Sequence, residues 1–95
     1  MLYPNSFMET YSASHLRLDE PCSVRLEADS VRIEYRQDGE IFAYSGTSRG
    51  AGHYELRCEG HPQCRATLHC FEETTFLEGF WLEEGGQGMW RIRLG

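Results

Sequence analysis

The closest grouping of metal-binding side chain types in the sequence is a cysteine, a histidine and a second cysteine: Cys58, His61 and Cys64 form a C-x2-H-x2-C run. Zinc prefers thiolate and imidazole ligands, and a hairpin could offer three of them here. The alternating pattern, however, gives Cys64 the same parity as Ala66 and Leu68, which is typical of a small core residue. We therefore expect no metal or other cofactor; a metal site at these three residues and a Cys58–Cys64 disulfide remain as alternatives.

No motif specifies a catalytic reaction. Serines, histidines and carboxylates occur, but none stands in a nucleophile elbow or a comparable context. The glycine-rich segment 45–52 lacks the Lys-Ser/Thr pair and the strand-to-helix context of a phosphate-binding loop. The acidic pairs Glu72-Glu73 and Glu83-Glu84 stand beside predicted turns, which is typical of a solvated surface. The sequence thus favours a protein that binds rather than catalyses.

The residues that suggest binding are large aromatic side chains on the apolar face of predicted strands. These residues are Tyr35, Tyr44, Tyr54, Trp81 and Trp90. Gly46, Gly52 and Gly79 fall on the same face and leave it without side chains there. Either the glycines accommodate neighbouring rings and let the strands bend, or a ring-lined cavity remains with tyrosine hydroxyls as its polar contacts.

The strand over residues 75–83 is apolar on both faces. Phe76, Phe80 and Leu82 share the parity opposite to that of Trp81, and Met89 joins them from the following strand. A strand with one wet face alternates, so this second apolar face predicts a cover, either the N-terminal segment or another chain.

The elements that position these residues are strands, because the pattern has period two from His15 onward. His15–Asp19 and Ser23–Ala28 are predicted as separate strands. Turns at Asp38-Gly39, Asp29-Ser30 and Gly85-Gly86 and a loop over residues 59–63 each place apolar residues opposite one another. The predicted pairs include Tyr35–Phe42, Leu26–Ile33, Leu56–Ala66, Cys58–Cys64 and Trp81–Trp90.

The N-terminal segment, residues 1–14, has a different pattern. Tyr3, Phe7 and Tyr11 recur at i, i+4 and i+8, and Ser6 with Glu9 matches a capping box. We predict a short helix here, with a strand or irregular arm as the alternative, packed on the meander of residues 15–95.

Length and charge limit the class of protein. The chain has 95 residues with 9 basic and 15 acidic side chains, a formal net charge of −6, which suits a single domain over residues 1–95. The arginines are scattered, so no nucleic-acid partner is expected. No membrane-spanning run and no secretory signal are visible, so we expect a cytoplasmic protein with four reduced cysteines and no membrane partner.

These patterns predict an all-β protein, an antiparallel up-and-down meander of about eight strands that forms a closed or nearly closed barrel with a short N-terminal helix or arm. In outline, and in its glycine–aromatic strand starts, it resembles the calycin-like barrels, the class of the lipocalins and avidins. That resemblance implies the architecture alone.

Three functions follow from the candidate residues. The first is a binding module that takes a small apolar or aromatic molecule in the barrel, at the five aromatic residues named above. The second is a protein-interaction or self-associating domain, such as a homo-oligomer, that uses the outer patch of Phe76, Phe80, Leu82 and Met89. The third is a small metal-stabilised protein with the Cys58, His61 and Cys64 site.

Overall fold

A computed structural model describes residues 1–95, except for the side chain of Pro62. The chain forms eight antiparallel strands: β1 (Leu2–Ser12), β2 (Leu16–Leu26), β3 (Ser30–Gln37), β4 (Glu40–Gly50), β5 (His53–Cys58), β6 (His61–Cys70), β7 (Phe76–Glu83) and β8 (Gly86–Arg93). Each strand pairs with the next, and β1 pairs with β8, so the sheet closes into a barrel. The predicted all-β up-and-down barrel is confirmed.

The N-terminal helix prediction is wrong, because residues 2–12 form strand β1 and close the barrel between β2 and β8. A spacing of four residues keeps side chains on one face of a helix, but it also keeps them on one face of a strand. A register shift between Tyr3 and Ser6 then separates the stripe. Tyr3 packs against the core, whereas Phe7 and Tyr11 are exposed.

Strand β2 is also continuous where two strands were predicted. Between the pairs Met8–Glu20 and Thr10–Arg17, β2 contains one more residue than β1, and Asp19 in this bulge has a φ of 54°. A bulge reverses the alternation of the faces beyond it. Arg17 therefore faces the open end of the barrel, and the leucines on either side of it are exposed.

The hairpin registers agree with prediction at some turns and shift by two residues at others. Tyr35–Phe42 and Leu56–Ala66 pair as expected. Leu26, in contrast, pairs with Val31 instead of Ile33. A shift of two residues leaves every side chain on its predicted face, because the period of a strand is two.

Two further predicted pairs are corrected. The C-terminal turn is Glu84-Gly85, so Trp81 pairs with Gly88 and Trp90 with Gly79. At the end of β5, a register shift pairs Cys58 with His61 rather than with Cys64.

Adjacent strands approach each other so closely that glycine is sterically required at several positions, of which Gly79 and Gly88 are two. A Cβ added to Gly79 would lie 1.8 Å from the Thr67 carbonyl oxygen, and one added to Gly88 would lie 1.8 Å from the Tyr11 carbonyl oxygen. These glycines let neighbouring backbones approach where the strands bend, as expected at the corners of a small barrel. The interior around them is filled by buried side chains such as Ile33, which each contribute about 1.5–3 kcal/mol on burial.

Candidate functional site

The candidate site is a cavity at one open end of the barrel, where the β1–β2, β3–β4 and β7–β8 turns meet. We call this end the mouth, and its cavity of about 240 Å³ the mouth cavity. Met8, Tyr44 and Trp90, all fully buried, form its floor. Its walls consist of Thr10, Tyr11, Ser12, His15, Arg17, Glu20, Tyr35, Gln37, Trp81 and Glu83.

A hydrogen bond from the indole of Trp90 holds the floor of the mouth cavity in place. Its Nε1 donates to the Thr67 carbonyl oxygen at 3.0 Å, and the Phe80 amide donates to the Thr67 hydroxyl at 3.2 Å. Both bonds lie in the stretch of β6 and β7 between the pairs Ala66–Trp81 and His69–Glu78. The indole thus satisfies a backbone carbonyl that points into the barrel, which fixes the ring beside Tyr44 with centroids 5.1 Å apart.

Tyr44 and Glu83 form the main polar contact of the mouth. The Tyr44 hydroxyl donates a hydrogen bond to Glu83 Oε2. Burial raises the pKa of Tyr44 well above its ordinary value, and this hydrogen bond raises the pKa further. Tyr44 therefore stays protonated and acts as a donor that orients the carboxylate.

Two aromatic side chains form the upper wall. The ring of Trp81 lies across Gly86 and Gly88. Its carbons are 3.6 Å from the position that a Cβ of Gly86 would occupy and 2.7 Å from that of Gly88. The Trp81 Nε1 donates a hydrogen bond to the Met89 carbonyl oxygen. Tyr35 is half-buried, and burial followed by the charge of Glu83 raises its pKa. Both rings present apolar faces to a space that water can enter.

A second cavity of about 320 Å³ adjoins the first and shares Tyr35, Gln37 and Glu83 with it. Cys58, His61 and Cys64 line this second cavity. Among the described residues, however, no group of three or more histidine, cysteine or acidic side chains is arranged to hold a metal ion. Cys58 is a free cysteine, and burial raises the pKa of its thiol to about 12, so it is present as a thiol.

The structure brings four of the five aromatic candidates together. Tyr35, Tyr44, Trp81 and Trp90 line the mouth cavity. Tyr54 does not, because its hydroxyl donates to the Glu27 carbonyl oxygen in the turn after β2, at the other end of the barrel.

Several polar residues of the mouth were missed by sequence reasoning. Arg17 lines the cavity because of the bulge in β2, which no pattern in the sequence indicates. Glu20 lines it because it has the same parity as the buried Cys22 in a strand that continues past the predicted start at Ser23. Glu83 was assigned to the solvated surface because it precedes a turn. Its parity matches that of Trp81, and this was the one available signal that it points inward.

The outer apolar patch is extended by β1 rather than covered by it. Leu16, Tyr11, Met89 and Phe80 are successive cross-strand partners on β2, β1, β8 and β7. Their exposures are 60%, 38%, 50% and 60%, and they form one continuous row on the outside of the barrel. We call them the outer row. Leu82 also lies on this face and is exposed.

Phe76 differs from the other predicted interface residues. It is half-buried, and the guanidinium of Arg91 lies over its ring at 3.8 Å from the centroid. This cation–π contact covers the ring within the chain itself. At Phe76, the outer face is covered by Arg91 on β8 and not by the N-terminal segment, which forms β1.

Comparisons of this chain with protein-family models, with curated proteins and with solved structures find no match. Within the described part of the chain, no helix has the length and apolarity needed to cross a membrane.

Proposed function

We propose that this protein is a binding module that takes a small apolar or aromatic molecule in the mouth cavity. The observation that carries the proposal is an open cavity of about 240 Å³ whose floor and upper wall are aromatic, at the end of an otherwise filled barrel. Sites for small molecules are concave and mostly apolar, with a few placed polar groups. The Tyr44–Glu83 pair supplies such groups.

The size of the cavity sets the size of the ligand. An apolar cavity of about 150 Å³ accommodates a benzene ring. The mouth cavity is larger and adjoins the second cavity, so it suits a ring that carries a short chain. A preformed aromatic floor reduces the ordering cost of binding, because Trp90 and Tyr44 are already held by hydrogen bonds.

The test is a titration with N-phenyl-1-naphthylamine, an uncharged aromatic probe whose fluorescence rises in an apolar site. We expect saturable binding with one site per chain. Tyr35→Ala removes a ring from the wall and weakens binding, whereas Phe80→Ala, on the outer row, leaves binding unchanged. Equal loss in both variants, or no saturable binding, would contradict the proposal.

The outer row favours a second candidate function, self-association. Contiguous exposed apolar residues of this kind can form an interaction surface. We propose that two copies bury their outer rows against each other in a symmetric contact.

Sedimentation velocity tests this second candidate. We expect a dimer that Phe80→Glu converts to a monomer, because a charge within an apolar contact is costly to bury. Ile41→Glu is the matched control, since Ile41 on β4 is similarly exposed, at 56%, but lies outside the outer row. A wild-type monomer at high concentration would refute self-association.

A further inference from the structure

We infer that the ligand of the mouth cavity is an organic cation, an alkylammonium group attached by a short chain to an apolar or aromatic body. This inference rests on the proposed binding function and adds the charge of the ligand. It comes from an imbalance between the acidic and basic groups of the mouth.

The acidic group without a cation is Glu83. Among the described residues, the hydroxyl of Tyr44 is the one donor of a hydrogen bond to this carboxylate, through Oε2, and no basic side chain forms an ion pair with it. A carboxylate has about four acceptor positions on its two oxygens. Glu83 therefore has acceptor capacity left, and it lines the cavity together with the aromatic rings.

Arg17, the arginine that lines the mouth cavity, already has polar partners. Arg17 Nη1 lies 3.8 Å from Glu20 Oε2. The side-chain amide of Gln37, with its oxygen turned toward Arg17, accepts a hydrogen bond from Nη2 at 3.0 Å. Arg17 and Glu20 thus offset each other, which leaves Glu83 as the carboxylate of the cavity that has no ion-pair partner among the described residues.

The wider mouth has the same sign. Asp38 and Glu40 line the second cavity together with Glu83. An anionic ligand would approach these carboxylates at a cost, whereas a cation would be attracted by them. The whole chain, at a formal net charge of −6, adds to this preference.

The rings of the cavity suit a cation as well as an apolar body. Tyr35, Tyr44, Trp81 and Trp90 all line it. The faces of aromatic rings attract cations, and tryptophan does so most strongly. An ammonium group can therefore donate to Glu83 while its neighbouring methylene groups contact the rings, which is the arrangement that recognises an arylalkylamine.

The test compares three ligands of nearly equal size and different charge: phenethylamine, 2-phenylethanol and 3-phenylpropionate. The intrinsic fluorescence of the protein reports binding directly, because the two tryptophans of the chain both line the cavity. The titrations are run at pH 8 and low salt, where alkylammonium and carboxylate groups are charged and imidazoles are generally neutral. We expect phenethylamine to bind about 10- to 100-fold more tightly than 2-phenylethanol, the difference that one charged hydrogen bond makes.

Glu83→Gln identifies the group responsible. It keeps the shape of the side chain and removes its charge, so phenethylamine should lose most of its advantage while 2-phenylethanol binds as before. Glu84→Gln is the control, since Glu84 is the exposed next residue and lies outside the cavity. An unchanged amine preference in Glu83→Gln would overturn the assignment to this carboxylate.

The comparison of ligands on the wild-type protein separates the two proposals without any variant. If 2-phenylethanol or 3-phenylpropionate binds as tightly as phenethylamine, the inference of a cationic ligand fails while the proposed binding function stands. If N-phenyl-1-naphthylamine and all three ligands fail to bind, both are overturned.

Discussion

The hydrogen bond from Trp90 to the Thr67 carbonyl oxygen makes the floor of the mouth cavity sensitive to substitution. Trp90→Phe keeps an aromatic ring but removes the donor to the Thr67 carbonyl oxygen, which the indole reaches at 3.0 Å. A buried acceptor left without a partner costs about 1–3 kcal/mol. Trp90 is 2% exposed, so the ring atoms lost with the indole add roughly 1–2 kcal/mol of lost burial and packing.

We therefore expect Trp90→Phe to lower the free energy of unfolding by about 2–4 kcal/mol, and the thermal midpoint by at least about 8 °C for a domain of this size. Urea denaturation followed by far-ultraviolet circular dichroism measures the change, since this signal comes mainly from the backbone and is present in both proteins. Equal slopes of the transitions for wild type and variant are needed to compare the two free energies.

Trp81→Phe is the matched control. The Trp81 Nε1 also donates to a backbone carbonyl, that of Met89 at 3.1 Å, but this bond is exposed and water can replace it. Its loss should cost less than about 1.5 kcal/mol. If Trp81→Phe destabilises the barrel as much as Trp90→Phe, the role given to the Thr67 carbonyl is wrong.

Three further predictions concern the closure of the barrel, its core and its terminal contact. Gly88→Ala should lower the free energy of unfolding by more than about 3 kcal/mol because its Cβ would strike the Tyr11 carbonyl oxygen. Gly86→Ala should be tolerated, because its Cβ would make an ordinary van der Waals contact, 3.6 Å from the Trp81 ring, and thermal denaturation measures both changes. Burial raises the pKa of the Cys22 thiol to about 12, above that of an unfolded cysteine, so the stability it contributes is complete below about pH 8.5 and is lost as pH rises toward 12. The Cys58 thiol has a pKa raised to the same value, so urea titrations between pH 9 and 10 should show a fall of up to about 1.4 kcal/mol per pH unit from each of the two thiols, and Cys22→Ala should remove one of these contributions. Ser6→Ala should cost about 1–3 kcal/mol by the same assay, since the buried hydroxyl donates to the Tyr3 carbonyl and accepts from the Gly95 amide.

The faces of the strands were predictable because alternation is a local property. Ile33 and Leu56, for instance, lie in the core as their parity requires. Pairing is less local. The Asp38-Gly39 turn defines its register by backbone conformation, with φ of 53° and 80° at its two residues, and the predicted pairs there are present. At the C-terminal hairpin, adjacent glycines left the position of the turn open, and the pairing is shifted by two residues.

Only part of the mouth cavity could be predicted from local sequence patterns. Trp81 and Trp90 were expected on one inner face, and both line the cavity. Arg17 was expected on the outer face of a separate strand, but the bulge at Asp19 turns it toward the mouth. A bulge depends on how β2 must curve to stay paired with β1, and that curvature is a property of the closed barrel.

The sequence by itself determined that the chain is an antiparallel β-meander, because a period of two and glycine-containing turns act over a few residues. Only the tertiary structure decided that residues 2–12 are a strand, since a spacing of four residues is compatible with both a helix and a strand until β2 and β8 supply hydrogen-bond partners. It alone also decided that Glu83 lies among aromatic rings with no cation paired to it in the described part of the chain, because that arrangement joins residues of distant strands that meet when the barrel closes.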